Sequence, residues 1–191
     1  MNLPIALTII RIVLVPLVIV FLISSERVNV LIAAVIFVAA SLTDWLDGLI
    51  ARRRNQVTRL GTLLDPVADK LLVAAALVSL VQVEMVPAWM AVVIIGRELA
   101  VTGLRGVALS MGIEVPASTL GKGKTILQYV AVTLLILEKG VSPELQSLHL
   151  LSGLILWITL GVTVLSGADY YYKFFVRTDS GALVKDKERW P

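Results

Sequence analysis

Four aspartates dominate the chemistry open to this chain. Asp44 and Asp47 stand three residues apart, and Asp65 and Asp69 four apart; either spacing brings two side chains to one face of a helix. The connection between the pairs is short and basic, with Arg52, Arg53, Arg54 and Arg59. The two helices are therefore expected to be antiparallel neighbours, with all four carboxylates at one depth. Converging carboxylates cannot all stay ionised in a low-dielectric site without a counter-charge. A divalent cation supplies one. All-oxygen ligands suit Mg²⁺ or Mn²⁺, and two such ions about 3.5–4 Å apart would clamp a phosphoryl group in transfer. The plainer alternatives are carboxylates that cap the third helix, where the dipole favours anions, or that pair with the nearby arginines.

The residues around the aspartates suit a phosphate ligand. Gly48 follows Asp47 directly, and a missing side chain there lets backbone or ligand approach closely; packing by a small residue is the competing explanation. Arg52 lies two turns beyond Asp44 and can reach a phosphate bidentately. Gly61 opens the third stretch and fits a simple hinge as well. A second charged group follows in Ile-Ile-Gly-Arg97-Glu98, Arg105, and Leu-Gly-Lys122-Gly-Lys124-Thr125. Arg97, Arg105, Lys122, Lys124 and Thr125 can gather around an anion, with Glu98 orienting one of the cations. A structural ion pair for Arg97 and Glu98, and a purely topological role for the lysines, are the alternatives.

The elements that must position these residues are long and apolar. Of 191 residues, 58% are hydrophobic and 16% charged, and the mean hydropathy is +0.90. A soluble domain carries about 45–50% apolar and about 25% charged residues, so a soluble enzyme and a nucleic-acid-binding chain both fit poorly. With no cysteine and one histidine, His149, disulfides, thiolate sites and a histidine zinc site drop out. Six apolar stretches appear, near Pro4–Ser24, Val28–Ile50, Gly61–Val83, Pro87–Leu109, Leu120–Leu137 and Leu148–Tyr170. Each matches the roughly 20 residues that cross a bilayer. Basic residues crowd the second and fourth connections and the end of the chain, which puts both termini on the cytoplasmic side. Tyr170, Tyr171, Tyr172 and Phe174 form an interfacial belt after the last span. The expected fold is an all-α integral membrane bundle of six transmembrane helices. It is a single catalytic domain over residues 1–191, with 172–191 as a polar cytoplasmic tail, in the cell membrane with its site facing the cytoplasm.

The pattern Asp44-x2-Asp47-Gly48-x2-Ala51-Arg52-x8-Gly61-x3-Asp65-x3-Asp69 resembles, without gap or substitution, the signature of the CDP-alcohol phosphotransferases. The resemblance implies a homodimer of six-helix subunits that moves a substituted phosphate from a CDP-linked donor to an alcohol and releases CMP. It implies that Asp44, Asp47 and Asp65 ligate metal. Asp69 would complete that site and act as the general base, and Gly48, Ala51, Arg52 and Gly61 would line the CDP pocket. The opening also fits at Leu3, Pro4, Thr8 and Arg11, although Ile5 stands where the family has asparagine; Thr8 and Arg11 are therefore further donor-site candidates.

The signature leaves the alcohol open. The basic group at Arg97, Arg105, Lys122 and Lys124 suits an acceptor that carries its own phosphate, and glycerol 3-phosphate is the candidate. That arrangement is similar to the phosphatidylglycerophosphate synthases of bacteria, which implies CDP-diacylglycerol as donor and the 1-hydroxyl of glycerol 3-phosphate as acceptor. Serine, inositol phosphate and phosphatidylglycerol remain competing acceptors. A different class, an ion or proton transporter, also uses intramembrane carboxylates. Bunching at one face and the lack of repeat symmetry argue against it.

Overall fold

The computed structural model describes residues 3–54, 59–110, 119–141 and 146–179, with side chains over 8–43, 67–110, 123–141 and 147–176. The described residues form six helices and no strand: α1 (Leu3–Ile23), α2 (Arg27–Arg54), α3 (Arg59–Gln82), α4 (Ala88–Ser110), α5 (Thr119–Gly140) and α6 (Gln146–Asp179). Each corresponds to one of the six apolar stretches. Long runs of Leu, Ala, Val and Ile propagate a helix readily, even past Pro16 inside α1, and packing then stabilises it. The helices close a ring in the spatial order α1, α2, α5, α6, α4, α3, and contact between α3 and α5 braces it across the middle.

Two features differ from the sequence reading. Among the described residues α2 and α3 touch only slightly, because α1 packs extensively on both. The short basic connection thus joins helices that a third helix holds apart along most of their length. At the other end of the chain, α6 does not stop at the aromatic belt but runs on to Asp179. No glycine or proline interrupts Tyr170 to Asp179, and Lys173 pairs with Asp169 one turn back at 2.7 Å.

The core lies where the ring closes. Phe37, Leu72, Leu77, Leu80, Ile94 and Ile136 are all buried. The outer surface is apolar as well: Val20, Val35, Val92, Leu150, Leu154 and Leu165 are exposed. So extensive an apolar exterior needs lipid or a partner against it. The clearest membrane-crossing segment is Ser147–Val176 in α6, 30 residues with mean hydropathy 2.0. At 1.5 Å per residue it is roughly 45 Å long, ample for a hydrocarbon core of about 30 Å. Only 28% of its apolar window is buried inside the bundle. Shorter apolar stretches occupy Thr8–Ile23 and Arg27–Thr43.

Polar groups clasp the helices at the end opposite the aspartates. Lys139 donates to the carbonyls of Leu22 and Ser24 at 2.6 and 2.8 Å, where a cation complements the C-terminal end of α1. Burial lowers the pKa of its ammonium from the usual lysine value. Glu138 on α5 receives the hydroxyl of Ser152 on α6 and lies 2.6 Å from Nδ1 of His149. His149, which the sequence left without a role, thus belongs to a helix-to-helix clasp.

The turn from α3 to α4 is a Schellman closure: Met85 N–H reaches the Leu80 carbonyl at 2.9 Å and Glu84 N–H the Val81 carbonyl at 3.0 Å. It places Glu84 in the left-handed region at φ 62°, the position where glycine is favoured. The left-handed backbone costs an L-residue about 1–2 kcal/mol, while the extra freedom of an unfolded glycine offsets about 0.5–1 kcal/mol of any relief. Relief is the larger effect. Glu84→Gly is expected to raise stability by up to about 1 kcal/mol, read as a higher unfolding midpoint in detergent. A lower midpoint would mean that the Glu84 side chain contributes more than its backbone costs.

Candidate active site

Asp69 is the aspartate of the motif whose side chain is described. It is half-buried on α3 and accepts a hydrogen bond on Oδ1 from the hydroxyl of Tyr129 on α5. The Tyr129 ring packs against buried Phe37 of α2, with centroids 5.9 Å apart and planes inclined by 58°. Three helices therefore hold this carboxylate. Asp44 and Asp47 lie on α2 and Asp65 on α3, but their side chains fall outside the described residues, as do those of Gly48, Ala51, Arg52, Gly61 and Lys122. The proposed metal set is all carboxylate oxygen, and that donor chemistry suits a hard divalent cation.

Asp69 opens onto a cavity of about 290 Å³ between α3, α4 and α5. Its polar lining is Asp69, Lys70, Glu98, Thr102, Thr125, Gln128 and Tyr129, and the remainder is apolar, including Leu71, Val73 and Leu99. Lys70 follows Asp69 directly, so one helical turn brings a carboxylate and an ammonium to the same cavity.

The second charged group is joined through one carboxylate. Arg97 donates from Nη1 to Glu98 Oε1 at 2.9 Å, and the Lys124 ammonium donates to the same oxygen. Lys124 is buried and Glu98 nearly so. Thr102 returns its hydroxyl to the Glu98 carbonyl at 2.7 Å, one turn along α4. From its other terminal nitrogen, Nη2, Arg97 reaches Ser166 Oγ on α6 at 2.7 Å. Arg105, two turns further on α4, stands over the Tyr170 ring with its guanidinium carbon 5.7 Å from the centroid. Thr8 and Arg11 are both buried on α1.

Of the residues singled out in the sequence, Arg97, Glu98 and Lys124 are brought into one bonded chain, and Thr125 lines the same cavity as Asp69. Arg105 stands apart from that chain, against α6. Sequence reasoning missed Lys70, Gln128, Tyr129 and Ser166. Lys70 adjoins a motif aspartate, and Tyr129 lies one turn beyond Thr125, so helical spacing could have found both. Nothing local marks Ser166, which is 69 residues from Arg97.

Comparison with known proteins agrees with this chemistry. The family model described as CDP-alcohol phosphatidyltransferase matches residues 1–165. The chain is 45% identical over 184 residues to the CDP-diacylglycerol–glycerol-3-phosphate 3-phosphatidyltransferase of Bacillus subtilis strain 168, covering 90% of this chain and 94% of that protein. Proteins of the same name from Rickettsia bellii strain RML369-C and Pseudomonas fluorescens are similar too. The first is 40% identical, covering 89% of this chain and 93% of the relative; the second is 39% identical, covering 89% and 88%.

Among the described residues Glu98 is the single anion bonded to Arg97 and Lys124, so its removal takes the counter-charge from two cations. Glu98→Gln is expected to cost about 3–5 kcal/mol of stability, the usual result of breaking a buried pair from one side. Adding Lys124→Met should recover part of that loss. Unfolding midpoints in detergent for the two single variants and the double variant measure this. Losses that simply add would mean that Glu98 and Lys124 are not energetically coupled.

Proposed function

Because the chain belongs to the CDP-alcohol phosphatidyltransferase family, we propose that it transfers the phosphatidyl group of CDP-diacylglycerol to the 1-hydroxyl of sn-glycerol 3-phosphate. The products are phosphatidylglycerophosphate and CMP, in the synthesis of anionic phospholipids. The names of the relatives support this donor and acceptor. The observation that carries the reading is the cationic group joined to the cavity of Asp69: Lys70 and Glu98 both line that cavity, and Glu98 in turn bonds Arg97 and Lys124. An ammonium has three donors and a guanidinium five, so the bonds to Glu98 and Ser166 leave hydrogens for an incoming phosphate.

In this mechanism the acceptor oxygen bonds to the β-phosphorus as the bond from that phosphorus to the bridging oxygen breaks. CMP departs with that electron pair, and Asp69 takes the hydroxyl proton. Tyr129 holds Asp69 from one side, which leaves the other carboxylate oxygen for the proton. Arg97, Arg105, Lys122, Lys124 and Thr125 bind the acceptor phosphate, and Glu98 orients Arg97 and Lys124. Fixing the acceptor by its phosphate brings its hydroxyl to attack distance, and orientation of this kind lowers a barrier substantially. Gly48, Ala51, Arg52 and Gly61 line the donor pocket, with Thr8 and Arg11 as further donor-binding residues. The family depends on a divalent cation; Asp44, Asp47, Asp65 and Asp69 would hold two Mg²⁺ or Mn²⁺ ions, whose charge offsets that of the pyrophosphate.

The family is membrane-embedded. We place six spans in the cell membrane, with both termini and the aspartate end at the cytoplasmic face, and a homodimer as the working unit. The apolar exterior and the side-to-side asymmetry of Arg and Lys support this arrangement. The donor's acyl chains then stay in lipid while its charged head enters the protein.

CMP release from CDP-diacylglycerol in liposomes with Mg²⁺, with glycerol 3-phosphate, serine, inositol phosphate and phosphatidylglycerol offered separately, tests the reading. Turnover is expected with glycerol 3-phosphate alone; turnover only with another alcohol would refute the acceptor assignment. Asp69→Asn should abolish turnover and largely spare CDP binding, and normal turnover would remove Asp69 as the base. Arg105→Ala should raise the KM for glycerol 3-phosphate more than that for CDP-diacylglycerol. Equal increases would detach Arg105 from the acceptor.

A further inference from the structure

The longest of the described helices, α6, carries a buried polar stripe. Ser152, Thr159, Thr163 and Ser166 on α6 are all buried, and Tyr170 continues the line. The spacings of seven, four, three and four residues keep them on one helix face. Two of its members serve ordinary helix packing: Ser152 bonds Glu138, and Thr159 returns its hydroxyl to the Ile155 carbonyl at 2.7 Å. Ser166 does something else. It accepts from Arg97 Nη2 at 2.7 Å, which ties the cationic group of α4 to α6.

The next residue, Gly167, makes that contact possible. A methyl group at Gly167 would stand 3.0 Å from Arg97 Cγ and 3.1 Å from Arg97 Nε. Both distances are tighter than ordinary contact, and they fall on the stem and head of the same side chain. Two other glycines of the same helix, Gly153 and Gly161, have open space where a methyl would go. A methyl at Gly167 would thus push the Arg97 side chain by a few tenths of an ångström, whereas at its companions it would meet nothing. A glycine within a helix costs about 1 kcal/mol relative to alanine, and the room it leaves for Arg97 is the evident return.

We propose that Ser166 and Gly167 form a socket that aims the Arg97 guanidinium at the anionic group of the acceptor, so that α6 takes part in acceptor selection without touching the acceptor. The proposal rests on the reading of Arg97 as an acceptor-phosphate ligand. The guanidinium is planar, and two of its nitrogens are fixed from different helices: Nη1 by Glu98 and Nη2 by Ser166. Its Nε is buried against the gap at Gly167. A group held at both ends has one orientation, and its remaining hydrogens present one geometry to an anion. Ser166 and Gly167 are positioning residues, since they act through Arg97.

Steady-state kinetics in liposomes on Gly167→Ala, Ser166→Ala, Ser166→Thr and Gly161→Ala test the socket, with unfolding midpoints and CMP affinity measured on the same preparations. A displacement of a few tenths of an ångström in a positioning group is worth roughly tenfold where 1 Å is worth about a hundredfold. Gly167→Ala should therefore raise the acceptor KM about tenfold, and Ser166→Ala about threefold. The KM for CDP-diacylglycerol and the CMP affinity should stay within about twofold. Ser166→Thr, which keeps the hydroxyl, and Gly161→Ala, which fills open space, should behave as the unchanged protein. Unaltered acceptor KM in both Gly167→Ala and Ser166→Ala overturns the socket, as does an equal rise in both substrates' KM. If Gly167→Ala does not fold, the same split in Ser166→Ala decides. Should the unchanged protein use an acceptor other than glycerol 3-phosphate, a selective rise in that acceptor's KM keeps the socket and discards only the proposed acceptor. No turnover with any alcohol discards both.

Discussion

A charged side chain inside an apolar bundle must find its counter-charge within the protein, and here one carboxylate answers for two cations. Glu98 receives Arg97 from its own helix and Lys124 from α5, and Arg97 continues to Ser166 on α6. Removing charge from water costs several kcal/mol per ion in practice. The three helices are therefore held in one register by the penalty of separating them. The cavity beside this chain inherits its geometry, because Glu98 and the residue that follows Lys124, Thr125, both line it.

The same constraint explains how polarity is distributed. Apolar side chains cover the outside of the ring as fully as they fill its core, so burial of apolar surface alone distinguishes inside from outside poorly. Polar contacts supply the distinction. At one end Lys139 caps α1, and Glu138 binds α6 through Ser152 and His149. At the other, Tyr129 joins α5 to Asp69 on α3. Interhelical hydrogen bonds of this kind add modest energy each in a membrane, but they select one packing among many that apolar contact would permit. The site sits among such contacts, in the cavity between α3, α4 and α5.

Much of this was legible in the amino-acid order. Helices follow from long apolar runs, so all six could be placed from sequence, and only their ends shifted. The extension of α6 past Tyr172 was missed because an aromatic-basic segment reads as an interface, while its backbone has no reason to leave the helix. Arg97, Glu98 and Lys124 drew notice because charge is costly in apolar runs. Tyr129 and Ser166 did not, since a tyrosine and a serine are unremarkable in a helix and their partners are 60 and 69 residues away.

By itself the sequence determined the helices, the family signature from Asp44 to Asp69 and the kind of chemistry that four carboxylates near basic residues can perform. Those are properties of residue type and local spacing, and helical periodicity carries them without reference to the rest of the chain. Only the tertiary structure decided that α1 separates most of α2 from α3, that Glu98 serves two cations at once, and that Gly167 rather than Gly153 or Gly161 is the glycine with a neighbour to accommodate. Each of these depends on which helix faces which. Apolar surfaces leave that choice nearly degenerate, and the partners of a few buried polar groups resolve it.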